Sequence, residues 1–454
     1  MSETPPLKRV AVIGGGLAGS EAAWALARQD IAVTLFEMKP ERFSPAHTET
    51  QLAELVCSNS LRSDEPTMAV GQLKREMESA GSLVLQMARR TRIPAGKALA
   101  VDRQAFSAAI TAALEDEPLI RLQRQEIRSL DDPALSEADA VVIAAGPLAS
   151  EPLAADLAQR LGGEELYFYD AIAPIISTDS VDMEVAFWAS RYNPQEKDYL
   201  NCPLDEATYY RVRQALLDGA KVPARAFEKT VHFEGCLPVE TLAERGELAL
   251  AYGPLKPVGL EDPRTGEQPF AVVQLRPENA EKTMCNLVGF QTKLTYPEQR
   301  RIFRMIPGLE QAEFLRLGSI HRNTFVNSPR VLTPYLELHS RPGVYLAGQI
   351  TGVEGYVESA ACGLWVGWHL AGRLRERFVG LPPQESALGA LLRHVSTPQK
   401  HFQPMNVNFG LMPPLGVRAK KPRRKELYAQ RADQAWKAWL AEVFPDAAQG
   451  EESV

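Results

Sequence analysis

Two cysteines stand where a thiol could do chemistry. Cys57 lies in "LAELVCSNSLRSD", residues 52 to 64, beside Ser58, Asn59 and Ser60, which hydrogen-bond rather than pack. Cys236 lies in "FEGCLPVE", between Gly235 and a Leu-Pro, in a turn able to hold a thiol at a surface. A free thiol with a pKa near 8.5 is only about 3% thiolate at pH 7, so a working one needs a cation, a base or a helix N-terminus beside it. Arg62 is a candidate cation for Cys57, and His232 precedes Cys236 by four residues. The ordinary alternative for any one cysteine is a buried, inert small hydrophobe. That reading suits Cys285 in "TMCNLVGF" and Cys362 in "ESAACGLWVGW", while Cys202 in "LNCPLD" stays open. Five cysteines with no CxxC pair and no cysteine-histidine cluster argue against disulfides and against a metal.

The elements that must position these thiols begin with a glycine turn. "KRVAVIGGGLAGSEAAWALARQDIAVTLFEMKP" reads as strand, turn, alanine-rich helix and second strand, with Gly14, Gly16 and Gly19 in GxGxxG spacing. A pyrophosphate fits the helix N-terminus there, against Gly15, Leu17 and Ala18, where free N–H groups and the macrodipole favour anions. Glu37, ending the second strand before Met38, is placed to accept from a ribose hydroxyl. Cys57 follows about twenty residues later, with Asn59 and Arg62, within reach of the flavin end of such a cofactor. Far downstream, "RPGVYLAGQITGVEGYVESAACGLWVGWHLAGRL", residues 341 to 374, repeats strand, glycine turn and helix, with Gly348, Gln349, Gly352, Gly355 and Tyr356 at the turn. A late return of the chain to the first domain suits FAD better than NAD.

The expected fold is α/β: a Rossmann-like FAD-binding domain built from residues 1–175 and 325–445, a mixed α/β insertion over 176–324, and a tail at 446–454. The net charge of −7 argues against bulk electrostatic coating of nucleic acid, but "GVRAKKPRRKELYAQR", residues 416 to 431, reads equally as an RNA-facing patch or a solvated tail. No apolar run approaches a membrane span and the first residues lack a secretory h-region, so a cytoplasmic protein is expected.

Taken together, "GGGLAGSEAAWALA", "PAHTETQLAELVCSNSLRSD", "YFYDAIAPI", "FEGCLPVE", "NLVGFQTKL", "HRNTFVNSP", "LAGQITGVEGYVESAACG" and "NVNFGLMPPL" resemble the folate- and FAD-dependent tRNA (uracil-5-)-methyltransferases over nearly the whole chain. The resemblance implies methylation of C5 of the T-loop uridine of tRNA, with 5,10-methylenetetrahydrofolate giving the carbon, FADH2 reducing it and NAD(P)H recharging the flavin. It makes Cys236 the nucleophile at uracil C6 and Cys57 the general base at C5. The chemistry agrees: C5 is a poor nucleophile until a thiolate adds at C6, and a second group must then remove the C5 proton. His321, Arg322 and Tyr356 are candidates for folate, and flipping of the target base out of the folded elbow is expected. The family usually has two glycines where this chain has Gly96-Lys97. Competing readings are the same chemistry on a ribosomal RNA uridine, the glucose-inhibited division protein A family, for whose C-terminal helical domain the chain looks short, a non-enzymatic flavin-bound tRNA chaperone, and a small-molecule flavin oxidoreductase.

Overall fold

The computed structural model describes residues 8–161, 165–171, 173–193, 195–222, 237–318, 320–399 and 402–444, with backbone alone for 165–171, 320–324 and 421. Cys236 and His232 therefore lie outside the described residues.

The chain opens with β1 (Arg9–Ile13), α1 (Leu17–Ala27) and β2 (Ala32–Glu37). The last four residues of β1 are all buried, the unbroken apolar run expected of a parallel strand covered on both faces. A three-stranded antiparallel sheet of β3 (Ser60–Ser63), β4 (Arg92–Ile93) and β5 (Ala98–Val101) follows, enclosing α2 (Ala69–Ser79) and α3 (Leu83–Arg90) in sequence. Through α4 (Arg103–Glu115) the chain reaches β6 (Ile120–Arg124), β7 (Ala140–Ile143) and α5 (Glu151–Arg160). Strand β8 (Glu165–Ala171) then leads into β9 (Ile175–Ser177), β10 (Phe187–Ala189), β11 (Tyr199–Leu204), α6 (Glu206–Asp218), α7 (Val239–Glu244) and α8 (Ala249–Tyr252). After β12 (Ala271–Pro277), β13 (Met284–Leu287), α9 (Tyr296–Phe303) and β14 (Phe314–Arg316), strand β15 (Ile320–Val326) returns antiparallel along β8. The chain ends with α10 (Ser328–Val331), β16 (Val344–Leu346), α11 (Tyr356–Leu374), α12 (Ala387–Ser396) and α13 (Lys421–Val443).

Five parallel strands in the order β16-β7-β1-β2-β6 form the first sheet, and six antiparallel strands in the order β10-β11-β12-β13-β9-β14 form the second. One apolar core draws on residues 10–161 and 325–439, the other on residues 176–312. The late segment docks on the early one through small residues. A Cβ on Gly363 would lie 2.0 Å from the Ala18 carbonyl oxygen, and one on Gly367 would lie 2.7 Å from the Ala25 Cβ, so α11 packs on α1 with almost no side chain between them. Between the two cores, the Asn59 amide donates to the carbonyls of Val101 and Pro277, and the Tyr199 hydroxyl donates to the Ala95 carbonyl.

The basic run 416–431 is no tail. From Lys421 it is the start of α13, which buries Ala432, Trp436 and Trp439 in the first core; the Trp436 indole donates to Ser79 Oγ. The helix forms because those residues recur at helical spacing under a charged outer face.

Candidate active site

Strand order reverses between β7 and β1, and the crevice at such a switch point, outside the C-terminal strand ends, is where open parallel sheets bind ligands. An open cleft of about 1090 Å³ lies there. Gly14, Gly15, Gly16, Leu17, Ala18, Glu37, Met38, Gly348, Gln349 and Tyr356 all line it, together with residues 144–150 after β7. Gly19 is not in the lining; a Cβ there would sit 1.8 Å from the Gly14 carbonyl oxygen, so it closes helix on turn. A Cβ on Gly16 meets nothing within 4 Å, which leaves open room at the uncapped N-terminus of α1. Glu37 accepts from the N–H groups of Gly15 (2.8 Å) and Lys39 (3.0 Å), leaving lone pairs for a further donor. The turn, the uncapped helix and the carboxylate fit a dinucleotide such as FAD.

The loop carrying Cys57 is tied back to this turn. The Leu52 N–H donates to Thr111 Oγ1 and the Ala53 N–H to the Gly15 carbonyl. From there the chain reaches the N-terminus of α11, where Gly355 has φ 110°, a backbone angle that places Tyr356 as the first helical residue and that a side chain would strain. The Tyr356 hydroxyl oxygen accepts the N–H groups of Cys57 (2.8 Å) and Ser58 (3.3 Å) and lies 2.9 Å from Cys57 Sγ. The thiol and both N–H groups thus converge on the one phenolic oxygen. Burial raises the Tyr356 hydroxyl well above its ordinary pKa, and the neighbouring Cys57 raises it further. The phenol thus stays protonated and uncharged.

Arg62 is not the cation of this thiol: its guanidinium pairs with the buried Glu358 at 2.7 Å. Its backbone sits at φ 63°, with the buried Lys74 ammonium holding the carbonyls of Arg62 (3.2 Å) and Ser63 (2.7 Å). Arg103 and Arg316 take the expected place. Burial disfavours the Arg103 cation, but Glu278, Tyr356 and Cys57 outweigh it and hold its pKa up. Burial lowers Arg316, with Arg103 adding to the effect against Tyr356, Glu54 and Cys57. Arg103 also forks onto Glu278 Oε2 at 2.7 and 2.9 Å and donates to the Leu55 carbonyl. Neither arginine stands near Cys57 in sequence, so no local pattern marks them.

Other expected site residues fall elsewhere. Asn59 is fully buried; its amide serves the two backbone carbonyls above and its oxygen accepts from Arg276 Nε at 2.9 Å, so its side chain staples the two cores. A Cβ on Gly352 would meet the Phe402 ring, away from the cleft lining. His321 and Arg322 sit on β15 opposite Asp170 and Tyr169, with side chains outside the described residues. Burial pushes the thiol of Cys202 far up, that of Cys285 up to about 11 and that of Cys362 up to about 12, which makes all three inert. Sequence reading missed Lys39, Glu54 and Gln125, which also line the cleft. Among the described residues no group of His, Cys, Asp and Glu could hold a metal ion, and no helix is long and apolar enough to cross a membrane.

A family model described as glucose inhibited division protein A matches residues 9–377. The methylenetetrahydrofolate--tRNA-(uracil-5-)-methyltransferase TrmFO of Oleidesulfovibrio alaskensis is 63% identical over 435 residues, covering 96% of this chain and 98% of that one. The protein of the same name from Geobacter sulfurreducens is 57% identical, covering 96% and 99%. Among solved structures, Aquifex aeolicus GidA in its form I crystal superposes with a TM-score of 0.67 at 17% identity, over 98% of this chain and 79% of that one, a likeness of fold. With identity this high along almost its entire length, the chain belongs to the methylenetetrahydrofolate--tRNA-(uracil-5-)-methyltransferases, within the wider glucose inhibited division protein A family.

Proposed function

We propose that the protein acts in the cytoplasm and methylates C5 of the T-loop uridine of tRNA, with 5,10-methylenetetrahydrofolate as carbon donor and NAD(P)H as the source of electrons. The observation that carries the reading, beside the family, is a thiol next in sequence to the lining of a dinucleotide cleft, hydrogen-bonded to a phenol of that lining and within electrostatic reach of the half-buried Arg103 and Arg316. FAD, when bound, supplies the two electrons that bring a methylene carbon to the methyl level. The residues to hold it are the turn at 14–18, Glu37 and the turn at 348–349, which line the cleft.

In this reading the Cys236 thiolate adds to C6 of the uracil, the C5–C6 double bond opens and C5 becomes an enolate carbon able to attack the one-carbon unit. Cys57, as thiolate, removes the C5 proton, and the electron pair left at C5 expels the carrier from the new one-carbon unit; as that carbon is reduced to the methyl level, the Cys236 thiolate leaves C6 and the C5–C6 double bond is restored. Tyr356, Arg103 and Arg316 favour the charged form of Cys57 before it acts and receive less charge once it holds the proton. Domain assignment follows the same division: residues 1–175 with 325–445 bind FAD, and the insertion 176–324 brings Cys236. Tyr356, His321 and Arg322 are the candidate contacts of the folate.

The test is to mix the purified protein with methylenetetrahydrofolate, NADPH and either an unmodified tRNA or a ribosomal hairpin, and to identify the modified nucleotide. 5-Methyluridine in the T-loop is the expected product; methyl confined to the ribosomal hairpin rejects the choice of RNA. A T-arm carrying 5-fluorouracil should be trapped covalently by the intact protein and released from trapping by Cys236→Ala.

A further inference from the structure

A second open cleft, of about 1250 Å³, lies between the three-stranded and six-stranded sheets and shares no lining residue with the first. Its wall carries three cations, Lys97, Arg191 and Lys256, and the exposed ring of Tyr192, which lies 63% open to solvent with the Lys256 ammonium 5.6 Å from its centre. All three cations bear on one point. The Tyr192 hydroxyl is lowered by its hydrogen bond from Lys256 foremost, against burial, and by Arg191 and Lys97 in addition.

Arg191 is the least satisfied of them. Its Nη2 donates to the Pro254 carbonyl at 2.8 Å, while Nε is buried with no hydrogen-bond partner among the described residues. Burial lowers its pKa, and no described carboxylate pairs with it or with Lys256. A guanidinium withdrawn from water without a counter-charge is costly, and an anion placed against it relieves that cost. The negative groups at hand are already engaged or lie to one side: Glu65 pairs with Lys97 at 2.7 Å, Asp198 accepts from the Gly96 N–H at 2.6 Å, and Glu196 stands on the lining.

The cleft is coupled to Cys57 by β12. Gln274 lines the cleft, and Arg276, two residues on and so on the same face of the strand, donates to Ser58 Oγ at 2.7 Å and Asn59 Oδ1 at 2.9 Å. That spacing is about 7 Å along a strand. An exposed aromatic ring among cations, in an open groove, is how proteins hold single-stranded nucleic acid without reading its sequence.

We propose that this cleft binds the RNA substrate beside the target uridine, with Lys97, Arg191 and Lys256 on a backbone phosphate and Tyr192 stacked on a neighbouring base. The site rests on the function proposed above. A reduced nicotinamide also carries phosphates, so the test separates the two sources.

The full-length protein is titrated with an unmodified T-arm hairpin over a series of salt concentrations, and NADPH oxidation is measured without RNA. The Lys97→Ala/Lys256→Ala double variant removes two surface side chains and should weaken the hairpin roughly tenfold to a hundredfold, with the salt slope lowered by about 1–2. Tyr192→Ala should weaken it roughly tenfold with the slope kept. Turnover at saturating hairpin and the KM for NADPH should stay at wild-type values. Hairpin affinity and slope equal to wild type in both variants would overturn the site, as would a raised KM for NADPH with RNA affinity intact. A wild-type protein that binds no hairpin would instead sink the RNA function itself, and this site with it.

Discussion

The Tyr356 hydroxyl lies 2.9 Å from the sulfur of Cys57, across 299 residues of sequence. Removing that hydroxyl leaves two backbone N–H groups without their acceptor and takes away the hydrogen bond between phenol and sulfur. A thiolate that loses such a bond holds its proton to higher pH. In Tyr356→Phe, alkylation of Cys57 by iodoacetamide should therefore titrate to higher pH than in the wild type. Methylation under single-turnover conditions should slow about 10- to 100-fold, the range of a weakened general base. Covalent capture of the fluorouracil hairpin should persist, because it depends on Cys236. An unchanged alkylation profile would leave Tyr356 a brace for the loop and nothing more.

Arg103 joins the two cores, its fork on Glu278 buried to 2% side-chain exposure. Arg103→Ala strands that carboxylate, and breaking a buried pair on one side costs about 3–5 kcal/mol. The urea midpoint should fall accordingly. Arg103→Met with Glu278→Leu replaces both charges by apolar groups and should recover most of the stability, yet it still lacks the cation beside Cys57, so methylation stays slow. Recovery of activity along with stability would show that Arg103 acts on the fold alone.

These two predictions mark what the sequence could and could not show. The glycine turn, Glu37 and the turn at 348–349 are local patterns whose residues serve one backbone geometry, and all three line the cleft. The partner of Cys57 follows no local pattern. Arg62, five residues away, looked suited, but the backbone turn held by Lys74 aims it at Glu358, while Arg103, Arg316 and Tyr356 arrive from three other elements. Helix α13 shows both sides: its basic start is conspicuous in sequence, while Ala429, Ala432, Trp436 and Trp439 behind it form an apolar stripe at helical spacing that docks it on the first core. The double glycine of α11 at 363 and 367 was likewise visible, but only its contact with α1 explains it.

Buried carboxylates should give the fold a falling stability toward alkaline pH. Glu76 on α2 accepts the N–H groups of Ala387 and Leu388 at the start of α12, both at 2.8 Å, and Glu21 does the same for Leu83 and Val84 at the start of α3. Burial, against those hydrogen bonds, raises each to about 7. An unfolded glutamate titrates at about 4.3, so between the two values the folded chain keeps a proton that the unfolded chain has released. The stabilisation is complete below the unfolded value and is lost as pH rises through the folded one. For one such group the difference is on the order of 3 kcal/mol. Glu76→Gln should therefore lose part of the drop in urea midpoint between about pH 5 and about pH 8. A variant profile parallel to the wild type would mean that Glu76 ionises in the fold as it does in water.

The contact between α1 and α11 makes the cofactor cleft depend on a hydrogen atom at residue 363. A Cβ there would lie 2.0 Å from the Ala18 carbonyl oxygen and 2.8 Å from its carbon, backbone atoms that cannot rotate aside. Gly363→Ala must push the helices apart, at a cost of about 1–3 kcal/mol or more. Ala18 lines the cleft, and Gly348 approaches its Cβ to 2.7 Å by the same measure, so displacement of α11 opens the turn that faces the dinucleotide. The expected result is a protein that remains folded by circular dichroism, melts several degrees lower and is purified with much less flavin absorbance. Gly81→Ala offers the comparison: a Cβ there meets nothing within 4 Å, but its φ of 76° imposes strain without touching the helix pair, so its melting point should fall while its flavin content does not. Equal loss of flavin in both variants would show that general instability, not the spacing of the two helices, governs retention of the cofactor.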